Sequence, residues 1–278
     1  MTAASANVVR LGNPPVISIN VTTANGFSMP SHIHAGLVTF KVSSPDTTGH
    51  GIQGFYLNRG TTLAKAKQDV NDTLSGDPVR TVAGVTALEH DVTEVGVVST
   101  NSYAPISVTI PMNRGTYYFL DVDTVDAPPL VPVYHVLHVT GQFRPSRVPG
   151  FSAVVGMIMN SGDMPQFIAP SSFAANGSYL AYVAGDEIHE AVFRPVVPGT
   201  TDAYITNFYN LLDAGQPTPA SPWTGSTSGM QAMSPGRWAI VHIDLPPGPY
   251  ALICYVPSDE APGLAHAREG MHMVVTLH

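Results

Sequence analysis

A single cysteine, Cys254, stands in this chain of 278 residues, at the end of the apolar run YALICYV. His266 and Met271 follow it with the spacing C-x11-H-x4-M, and His189 lies upstream in GDEIHEAVF. A lone cysteine forms no disulfide within its chain, so it is either a small buried apolar residue or a ligating thiol. Taken singly, each of the four has an ordinary reading: a core thiol, two hydrogen-bonded histidines, a core methionine. Taken in this order, each at a strand end, they offer one thiolate, two imidazoles and a weak thioether. That set suits copper in both of its oxidation states with little rearrangement, which is the requirement for passing an electron.

Such a set needs stiff elements to hold it, and the sequence supplies strands. Alternating apolar segments bounded by Gly, Pro, Asn and Asp recur: VISINVTT, GLVTFKV, SVTIPM, TYYFLDV, SAVVGMIM, SYLAYV, AVFRPVV, WAIVHIDL, YALICYV and MHMVVTL. Two stretches carry a helical pattern, 61–74 and 200–212, each opened by Gly-Thr-Thr with a threonine suited to capping. Aligning these openings sets Gly60 on Gly199 and His50 on His189. Further along, RGTYYFLDV lies over PGPYALICY, setting Gly115 on Gly248, Tyr117 on Tyr250 and Asp121 on Cys254, and VYHVLHVT lies over EGMHMVVT. The chain therefore reads as an internal duplication with a period of about 135 residues, split at GQFRPSRVPG. The expected fold is all-β, two tandem Greek-key sandwiches over 1–145 and 146–278, each with one short helix.

The segment PPGPYALICYVPSDEAPGLAHAREGMHMVVTL resembles the terminal hairpin of the cupredoxin superfamily, in which a strand ending in Cys is followed by a His and a Met that close a copper loop. GDEIHEAVF is similar to the upstream ligand strand of that family. The resemblance covers the second half well and the first half as a degraded copy. It implies two cupredoxin-like domains with one copper per chain, a type 1 site in the second domain made by His189, Cys254, His266 and Met271. It also implies electron transfer with a redox partner protein or small-molecule donor; low Lys with abundant Thr, Gly and Pro, a composition common in exported β proteins, sets the expectation of an extracellular or periplasmic location. In a carrier of this kind the His266 imidazole reaches the surface, with Pro262, Leu264 and Ala265 as a docking patch. One departure is the long Cys254 to His266 spacing: SDEAPGLA must form an excursion that returns the histidine, at an entropic cost that grows only logarithmically with length. Met273 faces the same side as Met271 and is the rival axial ligand, while His272 points the other way, toward the surface.

Two other function classes compete: a metal-free structural or protein-binding sandwich pair in which Cys254 is core, and a mononuclear copper oxidoreductase whose substrate enters beside the long loop. In the first copy Asp121 replaces the cysteine and His135 falls near the methionine position, so no thiolate site is expected there. His50, Asp121 and His135 would suit a harder ion such as zinc or type 2 copper; loss of the metal is the simpler expectation. The HIH at 32–34 resembles one histidine pair of a trinuclear copper cluster, but the CYV around Cys254 lacks the pair such a cluster needs beside the cysteine. The Met-rich SGMQAMSPG is read as a flexible surface loop.

Composition narrows the partners. Charged residues are 12% of the chain and the formal net charge is -8, so no basic patch serves nucleic acid or an anionic membrane. No apolar run reaches about 18 residues, the length a spanning helix requires, and MTAASANVVR lacks the apolar stretch of a signal peptide. A cytoplasmic setting and homo-oligomerisation both remain compatible with the sequence.

Overall fold

The structure, a computed structural model, describes residues 11–102, 105–122, 132–260 and 262–278. It is all-β in character: among the described residues, sixteen strands share one hydrogen-bonded network. In the first half, β1 (Val16–Asn20), β2 (His32–Ser43) and β5 (Ile106–Met112) pair with one another through β2, while β3 (His50–Leu57) lies between β4 (Val92–Thr100) and β6 (Gly115–Asp121). β7 (His135–Arg144) joins the two sets by pairing with β6 and β2.

The second half repeats this plan. β8 (Ala153–Met159), β11 (Asn176–Val183) and β14 (Trp238–Asp244) pair in line, with β9 (Pro165–Ile168) at the edge. β12 (His189–Pro195) lies between β13 (Ser228–Met233) and β15 (Gly248–Ile253), and β16 (His272–Leu277) follows, carrying the short β10 (Ser172–Phe173). Equivalent positions share one register: Gln53 opposes Leu120 on β3 and β6, and Val192 opposes Ile253 on β12 and β15. The same local devices recur. Tyr117 donates its hydroxyl proton to the Asn113 carbonyl at 3.0 Å, and Tyr250 does so to Pro246 at 2.9 Å.

The halves meet through equivalent strands. β4 pairs antiparallel with β13, and β5 with β14, so each set of strands continues from one half into the other. This like-with-like pairing is what a two-fold relation between duplicated units produces. Strands that are not hydrogen-bonded to each other meet in the core: the Phe40 ring of β2 sits 5.3 Å from that of Phe119 on β6, and the Tyr179 ring of β11 sits 5.8 Å from that of Phe193 on β12. Alternating β-branched and aromatic residues account for this, because every second side chain of a strand enters the same layer.

Both expected helices form, α1 (Leu63–Thr73) capped by Thr62 and α3 (Asp202–Asp213) capped by Thr201. A further helix, α2 (Pro78–Asp91), was not expected. Its start signal was present: Asp77 caps the Arg80 amide and Pro78 occupies the first turn. Its weak amphipathic pattern hid it, and Gly84 within it lowers helix propensity. That glycine has a packing reason, since a Cβ there would lie 2.3 Å from the Thr73 backbone nitrogen on α1. SGMQAMSPG is another correction, because β13 is a buried strand in which Met230 and Met233 are fully covered.

Gly229 fixes the approach of β13 to β12. Its φ is +153° and a Cβ would meet the Ala191 carbonyl oxygen at 2.5 Å. Gly229→Ala is expected to cost about 2 kcal/mol or more in denaturant unfolding, through both clash and strain. Gly236→Ala, with open space around its Cβ position, should cost less.

Candidate metal centre

β12 and β15 are neighbours, so their ends bring His189 and Cys254 together. The Glu190 amide donates to Cys254 Sγ at 3.4 Å, fixing the sulfur beside the histidine strand. His266 must then return from the far end of the long loop, and a small hairpin does this. Ser258 N–H donates to the Leu264 carbonyl at 2.7 Å, His266 N–H donates to Val256 at 2.9 Å, and Pro257 bridges Ala265. The excursion is thus zipped closed, and a 3-10 turn over His266–Arg268 follows it. Ala267 N–H then donates to the Cys254 carbonyl at 2.8 Å, which ties the turn to the end of β15.

The result is a dry cluster. His189, Cys254 and His266 are each at most 1% exposed, and their ligand atoms lie within 4.8 Å of one another. His189 Nδ1 is 3.1 Å from His266 Nδ1, which is 3.5 Å from Cys254 Sγ. Ligand atoms held at about 2.0–2.3 Å around a single metal stand at comparable separations, so the donor set fits a mononuclear ion. Met271 is fully buried in the same core cluster as Cys254, and its backbone bonds to both neighbours: its N–H donates to the His266 carbonyl at 2.9 Å and its carbonyl accepts from Cys254 N–H at 3.3 Å. Met273 is only partly buried.

Electrostatics separate the two imidazoles. Burial, with the His266 ring beside it, drives His189 down to about 3, so it is neutral and ready to ligate. Burial also penalises a charged His266, but hydrogen bonding to Cys254 and the nearby Glu187 carboxylate prevail and hold it up at about 10. Glu187 Oε2 stands 3.1 Å from His266 Nε2 without hydrogen-bond alignment, so its carboxylate acts on the ring through its charge. Glu89 of α2 reaches over the same region and accepts from the Ile188 amide at 3.1 Å; burial pushes its carboxyl up to about 7.

These contacts correct one expectation. His266 is covered rather than exposed, and Gly263 of the excursion lies close to Val82, Pro78 and Thr81 of α2. The correction concerns the imidazole: of the expected docking patch, Pro262 is exposed and Leu264 and Ala265 are half-buried. His272 is also not a surface residue: its side chain is 3% exposed and its Nε2 lies 3.2 Å from the Thr206 hydroxyl on α3.

In the first half the corresponding place is closed by hydrogen bonds. His50 Nδ1 is 2.7 Å from Asp121 and its Nε2 is 3.0 Å from Asp46, so both ring nitrogens are engaged. His135 instead packs on Phe27 with ring centroids 4.1 Å apart. His50, Asp121 and His135 do not gather as a ligand group; among the described residues that arrangement is found at His189, Cys254 and His266. His32 lies on β2 beside His138 of β7, 5.0 Å between ring centroids, and does not enter the cluster. Asp46 and Glu187 were missed by sequence reasoning. The former sits four residues before His50, and the latter two before His189, but neither spacing distinguishes a partner from a solvated acid.

No family profile matches the sequence, and no curated protein matches it. Solved structures do resemble it. Auracyanin A, a blue copper protein from Chloroflexus aurantiacus, is 20% identical over 46% of this chain and 100% of its own, with a TM-score of 0.29. Auracyanin B is 17% identical over 48% and 93%, with a TM-score of 0.27. The copper nitrite reductase of Nitrosomonas europaea is 11% identical over 96% and 94%, with a TM-score of 0.26. Likenesses this faint add no weight to the chemistry of the cluster.

Among the described residues, no helix is long and apolar enough to cross a membrane.

Proposed function

We propose that His189, Cys254 and His266, with Met271 as a weak fourth ligand, hold one copper ion in a type 1 site, and that the protein transfers electrons outside the cytoplasm. The site belongs to the second of two tandem domains, 1–145 and 146–278. One observation carries this reading: a thiol sulfur and two imidazole nitrogens converge in a buried pocket with a backbone N–H aimed at the sulfur. Copper, when bound, supplies one-electron chemistry through its thiolate bond. The chain does the rest. β12 and β15 fix two ligands on rigid strands, the zipped loop returns the third, and the Glu187 carboxylate places a negative charge beside the His266 ring. Burial of all three keeps water out and limits reorganisation. The Glu190 N–H to sulfur bond lowers electron density on the thiolate and tunes the potential.

The first domain contributes cover in place of a second metal, because Asp46 and Asp121 already occupy both nitrogens of His50. Titration with Cu(II) is therefore expected to end at one equivalent per chain with intense visible colour, and azide at millimolar concentration should leave the spectrum unchanged. A colourless protein that takes up no copper would favour a metal-free structural pair. Anion-sensitive colour with turnover of a reducing substrate would favour a copper oxidoreductase.

A further inference from the structure

Behind the metal cluster, a cavity of about 350 Å³ opens between the strand ends of the second half and α1, α2 and β3 of the first. Its volume lies within the range of small-molecule sites. Most of the wall is apolar, including Phe55, Leu88 and Tyr255, and among the described residues no lysine, arginine or histidine lines it. Two polar side chains stand out against that wall. Glu94 is 6% exposed and Gln231 is 8% exposed, both line the cavity, and among the described residues neither side chain has a hydrogen-bond partner. Glu190 lines it too, its carboxylate accepting from the Tyr255 amide at 2.8 Å.

A buried carboxyl with no donor is costly unless something occupies the space before it. An anion would meet Glu94 and Glu190 together, and a neutral apolar guest would leave Glu94 and Gln231 unsatisfied. We infer that this cavity binds a primary ammonium ion carrying a short apolar body, with the ammonium group donating to the Glu94 carboxylate and the Gln231 amide oxygen, and the body resting on Phe55 and Leu88. The charged groups facing Glu94 are consistent with this. Burial and the nearby Glu190 push Glu94 up to about 8, and the buried Tyr134 hydroxyl, also held above its usual value, offers no positive charge. An incoming ammonium ion would displace a proton from that raised carboxyl.

The inference does not depend on copper, so the test uses the full chain without metal. Calorimetric titration with phenethylammonium should show binding, while 2-phenylethanol and phenylacetate, of the same shape but neutral or negative, should bind far more weakly. The heat should vary with the ionisation enthalpy of the buffer, reporting the proton released. Glu94→Gln is expected to weaken phenethylammonium by about tenfold or more, the loss of one charge-assisted hydrogen bond, and to abolish the buffer dependence. Val70→Phe, which fills the cavity from α1, should weaken it without touching a carboxylate and decides the matter if Glu94→Gln does not fold. Equal binding of 2-phenylethanol, undiminished binding by Glu94→Gln or by Val70→Phe, or no binding of the amine by the wild-type chain would each overturn the assignment.

Discussion

Cys254→Ser is expected to abolish the visible absorption of the copper-loaded protein, a band at about 600 nm that arises from the thiolate to copper bond, and to leave the fold in place. The hydroxyl is close in size but does not supply the soft, deprotonated sulfur that the two imidazoles need as a third partner. Because Cys254 is fully buried and receives the Glu190 amide, an oxygen there can still accept that bond, so apo stability should fall by only about 1 kcal/mol. The two readouts together separate a ligand from a core residue. A variant that keeps the colour sinks the type 1 reading. Met271→Leu should retain colour with a shifted reduction potential, since an axial thioether tunes the metal without holding it alone.

In the first half the largest effect is expected at Asp121. Its carboxylate lies 2.7 Å from His50 Nδ1, the pair is almost wholly covered, and Asp121→Ala leaves a buried imidazole without that partner. Breaking a buried pair from one side typically costs about 3 kcal/mol, to be read from denaturant midpoints. The cost should depend on pH with a definite sign. Burial by itself lowers His50, but Asp121 and Asp46 outweigh it and hold the imidazole above its ordinary value of 6.5. A group whose pKa is raised on folding contributes fully below its unfolded value and loses that contribution as pH rises through its folded value. The gap between wild type and Asp121→Ala should therefore be widest below pH 6.5 and should narrow as the pH is raised above it. A gap that widens with pH would show that His50 is neutral in the folded chain.

The strand segments and two of the helix starts were legible in the sequence because both rest on local chemistry. Gly-Thr-Thr caps a helix wherever it stands, as Thr62 and Thr201 do. Tyr117 and Tyr250 mark equivalent turns because each bonds four residues back along its own chain. Strand alternation likewise reports which face of a segment is apolar. Cys254 stands out by type alone as the single cysteine of the chain, whereas His189 and His266, two of eleven histidines, were chosen by their order and strand-end positions around it.

What the sequence could not determine depends on groups far apart in the chain. The antiparallel pairing of β4 with β13 and of β5 with β14 joins residues more than a hundred positions apart, and nothing in either strand names its partner. The approach of α2 to Gly263 of the excursion involves a helix whose pattern was too weak to read. The closure of His50 by Asp46 and Asp121 required knowing that two acids, one four residues away and one 71 residues away, reach the same ring. Sequence alone determined which atoms were available for chemistry, because that is a property of side-chain type. Tertiary structure decided which of them meet and which are sealed from water, because distance and dielectric are set by long-range packing.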